Sequence, residues 1–116
     1  MKENLVQNKS FEFSLKLIKL YKILIKNNEY IISKQLLRSG TSIGANIEEA
    51  IAAQTKKDFL SKIYIALKEA RETRYWLKLL RESAITQVDL LSYLEDIEGL
   101  INILTKITKT TENNLK

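Results

Sequence analysis

A chain of 116 residues, 45% apolar and 28% charged, suits one globular domain over residues 1–116. It has no cysteine and no histidine, which excludes disulfides, thiolate nucleophiles, imidazole bases and zinc sites of that kind. Its 19 basic and 14 acidic groups give a net charge of +5, an excess that permits an anionic partner without requiring one.

With no proline and only 3 glycines, long stretches contain nothing to break a helix. The first helix is predicted over about 10–26. Leu17, Ile18, Tyr21, Leu24 and Ile25 fall on one face at helical spacing, with Lys16, Lys19, Lys22 and Lys26 opposite. Asn27 and Asn28 supply a stop, because asparagine tolerates left-handed backbone. The second helix is predicted over 33–54, with Ser33 as its N-cap. Its seam reads Leu36, Leu37, Gly40, Ile43, Gly44, Ile47 and Ile51. Two interior glycines cost about 1 kcal/mol each relative to alanine, so either a neighbouring helix approaches closely or the helix is interrupted near residue 40.

The third helix, over 58–83, carries the sharpest start signal in Thr55-Lys56-Lys57-Asp58, a threonine with an acid three residues later. Phe59, Ile63, Ala66, Ala70, Thr73, Leu77, Leu80 and Ala84 then keep an unbroken four-three rhythm. Ala66 and Ala70 leave room for a neighbour, for which the glycine helix is one choice. Thr86-Gln87-Val88-Asp89 repeats the start pattern before a fourth helix over 88–108, with Leu90, Leu94, Ile97, Ile101 and Leu104 as its seam and Leu91, Leu100 and Ile107 widening the stripe. The polar stretch 109–116 reads as a frayed tail. Short connections favour antiparallel neighbours, which makes the fold all-α: an up-down-up-down antiparallel four-helix bundle. No apolar run is long enough to span a membrane, and Met1-Lys2-Glu3-Asn4 opens no signal peptide; the expectation is a cytoplasmic protein with no membrane partner.

Apolar residues outnumber what one bundle needs. Phe11, Phe13, Leu15, Leu20 and Ile23 are surplus on the first helix, as are Leu60, Tyr64, Leu67, Ile65, Trp76 and Leu79 on the third. They predict self-association into a homo-oligomer, against the alternative of a wide core closed by aromatic side chains.

The chemistry is sparse. Glu69 and Glu72 lie one turn apart and can in principle hold a hard cation, yet Lys68, Arg71 and Arg74 beside them favour ion pairs. No phosphate loop is present. The reading is non-enzymatic, with no metal and no cofactor. Basic side chains carry the better lead: residues 1–83 hold 16 basic and 9 acidic groups, whereas residues 84–116 hold 3 and 5. Arg71, Arg74, Lys78 and Arg81 share an arc of roughly 80° on the third helix. Lys16, Lys19 and Lys26 are positioned to extend it. Such a surface neutralises phosphates, so RNA or DNA is the candidate partner; a solvated outer face serving a protein-interaction scaffold is the alternative.

The stretch Gln35-Leu36-Leu37-Arg38-Ser39-Gly40-Thr41-Ser42-Ile43-Gly44-Ala45-Asn46-Ile47-Glu48-Glu49-Ala50 resembles the signature of the 23S rRNA intervening-sequence proteins, a bacterial family of small four-helix bundles. Asp58-Phe59-Leu60, Ile65 to Ala70, Glu72-Thr73 and Tyr75-Trp76-Leu77 resemble that family's third helix. Ala50 departs from it, since many relatives have glycine there. The resemblance implies homopentamers, and in a related branch, the accessory variability determinant of diversity-generating retroelements, a basic pentamer that binds nucleic acid and a reverse transcriptase. Gln35, Arg38, Ser42, Asn46 and Glu49 match the motif and share one polar edge, which assigns them an architectural role.

Overall fold

The computed structural model describes residues 2–115; Met1 and Lys116, the ends of the predicted domain, lie outside the described residues. Four helices carry the chain: α1 (Lys2–Lys26), α2 (Ile32–Ile51), α3 (Lys56–Ser83) and α4 (Leu91–Leu115). There is no strand among the described residues. α1 packs on α2, α2 on α3, α3 on α4, and α4 returns to α1 across the thinnest seam.

Several predicted boundaries need correction. α1 starts at Lys2 rather than residue 10, because nothing in residues 2–9 breaks a helix and Val6 is buried in the core. Ser33 is not a cap. It lies inside α2, and the free N–H groups of Ile31, Ile32 and Ser33 donate instead to the carboxylate of Glu29. α2 ends at Ile51 rather than 54, since Thr55 must be extended (φ −130°, ψ 158°) to accept from Asp58 N–H at 3.1 Å. That bond places the start of α3 at Lys56 rather than 58. α4 starts at Leu91 rather than 88: Thr86 accepts only from Val88 N–H in a local turn, and Asp89 Oδ1 takes Leu91 N–H at 3.0 Å. The predicted frayed tail is helical through Leu115, with no glycine or proline to stop it and Ile107 and Thr108 buried along it. Asn28 does end α1, at φ 68°. Glu29 N–H reaches the Leu24 carbonyl and Asn28 N–H the Ile25 carbonyl, a Schellman closure.

The seam of α1 is rotated from the predicted one. Val6, Phe13, Leu17, Leu20 and Leu24 are buried, while Ile18 is 38% exposed. Phe13 and Leu20, expected as surplus, are core. The predicted seams of α3 and α4 are buried from Ile63 to Leu80 and from Leu90 to Leu104, with Leu67 added on α3; of the wider α4 stripe Leu100 and Ile107 are buried, whereas Leu91 is 59% exposed. Core residues from all four helices interlock along the axis of a body 48 × 21 × 21 Å.

Both interior glycines sit in an uninterrupted α2, and they face α1, not the alanines of α3. Gly44 lies over Ser10, and a Cβ on Gly40 would overlap Leu17 Cδ1 and lie 3.7 Å from Thr73 Cγ2 of α3. Gln7 reaches Glu48 at 2.7 Å, so numbering falls along α2 as it rises along α1, and the pair is antiparallel. Glu49–Lys62 and Ser39–Thr73 give α2 and α3 the same antiparallel register. The glycines therefore have different expected costs. Gly40→Ala gains helix propensity but overpacks Leu17, for a net loss of about 1 kcal/mol. Gly44→Ala meets nothing nearer than 3.5 Å, and Gly99→Ala nothing within 4 Å. Each should gain up to about 1 kcal/mol. Urea unfolding of the three variants checks that order.

Candidate nucleic-acid interface

α3 presents Arg71, Arg74, Lys78 and Arg81 along its α4-facing flank. Arg74 is half-buried and donates to Glu98 on α4 at 2.7 Å. Arg81 pairs with its own neighbour Glu82 at 2.7 Å. Arg71 and Lys78 are exposed and form no ion pair among the described residues. On α1, Lys16 is drawn into the α4 seam: its Nζ lies 2.5 Å from Asp96 and 4.9 Å from the ring centre of Tyr93. Lys19 and Lys26 stay exposed and unpaired within the same residues.

The two basic stripes do not merge along their length. α4 stands between them, meeting Lys16 through Asp96 on one side and Arg74 through Glu98 on the other. A groove of about 190 Å³ at the α1–α4 seam is lined by both signs of charge, Lys9 and Lys16 against Glu12, Glu95 and Asp96. It offers an anion no advantage.

The stripes converge at one end instead. Because α2 is antiparallel to both α1 and α3, the C-terminal turns of α1 and α3 and the first turn of α2 share an end. Lys22, Lys26, Lys34, Lys78 and Arg81 gather there, all exposed. Of the acidic groups there, Glu29 is held by the α2 N-terminus, Glu82 pairs with Arg81 and Asp89 is held by the start of α4, while Glu95, in the opening turns of α4, is exposed and has no ion pair among the described residues. Sequence reasoning did not single out Lys34. The antiparallel order of the helices is the signal that would have found it, since Lys34 falls near the level of Lys78.

The motif residues form a ladder on the α2–α3 seam. Arg38 donates to Glu69 at 3.4 Å, to Glu72, and from Nε to Gln35 at 3.2 Å. Trp76 adds its indole N–H to Glu72 at 3.0 Å. Glu69 and Glu72 are thus bound to arginine and indole donors. Ser42 and Asn46 bond back to the carbonyls of Arg38 and Ser42 on their own helix, and Glu49 meets Lys62 at 2.9 Å. Beneath the ladder, the buried hydroxyls of Ser39 and Thr73 meet at 2.9 Å. Arg38 and Glu49 therefore tie the two helices together. No group of three or more potential metal ligands gathers among the described residues, and no helix there is long and apolar enough to cross a membrane.

Residues 2–106 match the protein family described as 23S rRNA-intervening sequence protein. A crystal structure of a protein with unknown function, from the S23 ribosomal protein family of Bacteroides thetaiotaomicron, is 50% identical in sequence. It superposes with a TM-score of 0.88, covering 94% of this chain and 99% of that one. No curated protein matches the chain.

Proposed function

The chain belongs to the 23S rRNA-intervening sequence protein family, and from that premise we propose a non-catalytic, cytoplasmic protein that binds RNA or DNA through its basic end. In this reading it folds as an up-down-up-down bundle and works as a homo-oligomer, pentameric as the family resemblance implies. One observation carries the proposal: exposed cations from α1, α2 and α3 collect at one end, and of these Lys22, Lys26, Lys34 and Lys78 form no ion pair among the described residues. Assembly would repeat that end around a ring, so a few cations per copy become an extended phosphate-binding surface. The stripe for assembly is on α1, where Phe11, Leu15 and Ile18 point away from the core and Phe11 is 63% exposed. Bound nucleic acid would suit an accessory to an enzyme such as a reverse transcriptase; the α1 stripe also favours a second reading, a protein-interaction scaffold with no nucleic-acid role.

Fluorescence anisotropy separates the two. Under the first reading, affinity for a structured RNA or a DNA duplex falls by orders of magnitude between about 50 and 200 mM salt. Replacing Lys34 and Lys78 with glutamate should cost about tenfold or more and flatten the salt slope, as expected when two phosphate contacts are lost. Replacing Lys56 and Lys57 with glutamate, at the opposite end, should do little. Equal losses in the two double variants would overturn the location. No binding at low salt would leave the scaffold.

A further inference from the structure

The basic end carries a second peculiarity. Its connections hold large apolar side chains out in water: Ile31 is 79% exposed, Tyr30 59% and Ile85 56%. The loop beneath Tyr30 and Ile31 is nonetheless tightly built. Asn28 is locked by the Schellman closure, Glu29 holds the N–H groups of Ile31, Ile32 and Ser33, and Tyr30 Oη donates to Asn28 Oδ1 at 2.9 Å. The ring is therefore presented by a fixed backbone, with its hydroxyl already bonded and more than half of the residue open to solvent.

We infer that this end is a tip for single-stranded nucleic acid, with Tyr30 as the stacking platform inside a collar of Lys22, Lys26, Lys34, Lys78 and Arg81. The inference rests on the nucleic-acid reading above and names its substrate class. Lysines serve duplex and single strand alike, because both expose phosphates. An aromatic face and flanking isoleucines gain nothing from a duplex exterior, whose base faces are already stacked. They gain from an unpaired base, whose faces are free to stack. Ile31, next in sequence, and Ile85, on the α3–α4 connection at the same end, are further exposed apolar side chains there.

The test titrates a labelled pyrimidine strand of about 15 nucleotides, near the upper end of common single-strand site sizes, against its own duplex. The single strand should bind at least about tenfold more tightly, and Tyr30→Ala should lose about tenfold, a loss within the range of one stacked base. Tyr30→Phe should keep the affinity, and Tyr30→Trp should show indole quenching on binding. Equal affinity for strand and duplex, or an unchanged Tyr30→Ala variant where the Lys34 and Lys78 reversals still weaken binding, overturns the inference and leaves the broader reading standing. Absence of all nucleic-acid binding overturns both. Binding to anionic phosphatidylglycerol vesicles that is lost in Tyr30→Ala, with strand affinity unaffected, would make the tip a lipid contact and likewise overturn it.

Discussion

Phe13→Ala should lower the stability of the folded chain by about 3–5 kcal/mol, the range for truncating a buried phenylalanine. Phe13 is 2% exposed and sits in the core with Leu17, Leu20 and Leu24. Its removal leaves a void that an interlocked helical core fills only in part, so the transfer and cavity contributions add. Ile18→Ala offers the contrast. At 38% exposure that side chain touches the core little, and at concentrations where copies are separate its loss should stay within about 0.5 kcal/mol. Urea unfolding of both variants over a range of protein concentration checks the pair. Similar losses would return Ile18 to the seam. A loss in Ile18→Ala that grows with concentration would be the signature of the α1 stripe being covered by another copy.

That pair of residues also shows what kind of information the sequence lacked. α1 carries two apolar stripes. Leu17, Ile18, Tyr21, Leu24 and Ile25 form a convincing one, but Val6, Ser10, Phe13, Leu17, Leu20 and Leu24 keep a four-three rhythm that includes a serine. Ser10 reads as an interruption until Gly44 is seen lying over it, when a small polar residue becomes the natural partner of a close helix. Periodicity ranks faces by hydrophobicity, whereas packing also selects by size. α3 posed no such choice, since a single unbroken rhythm ran its length and Thr55 supplied a cap that works locally. Ser33 and Thr86 offered cap residues just as local, yet neither caps its helix: Glu29 takes the α2 N–H groups and Asp89 the first of α4.

The candidate site followed the same division. The arc of Arg71, Arg74, Lys78 and Arg81 was visible in spacing, but the ion pair of Arg74 with Glu98 joins residues on different helices. Lys34 was hidden for the opposite reason: it belongs to no stripe on α2 and matters only by its level along the bundle. Pairings between helices, in number and sign, decide which cations remain available to a phosphate. One-dimensional spacing does not contain them.

Glu29→Gln should cost about 2 kcal/mol at neutral pH, because hydrogen bonds to a charged acceptor contribute roughly 1.5–3 kcal/mol. Glu29 was no cap candidate in the sequence, since capping is usually the work of Ser, Thr, Asp or Asn one residue before the helix. It does the work from farther back. Oε1 accepts from Ile32 N–H at 2.9 Å and Ile31 N–H at 3.3 Å, while Oε2 accepts from Ser33 N–H at 2.6 Å; Ser33 Oγ returns a bond to the Glu29 carbonyl at 2.7 Å. Burial pushes the carboxyl pKa upward, but the N–H donors of Ile32, Ser33 and Ile31 and the Ser33 hydroxyl outweigh it and hold the value below the ordinary 4.5. A carboxyl depressed in the folded state contributes stability that is fully present above its unfolded value and is lost as pH falls through its folded value. The gap between the native chain and Glu29→Gln should therefore be constant from neutrality down to just above 4.5 and close in more acidic solution. Glutamine keeps an acceptor oxygen but has no charge to lose, so the closing isolates the carboxylate. A gap that persists unchanged well below 4.5 would mean that the shape of the side chain, not its charge, seats the loop that presents Tyr30.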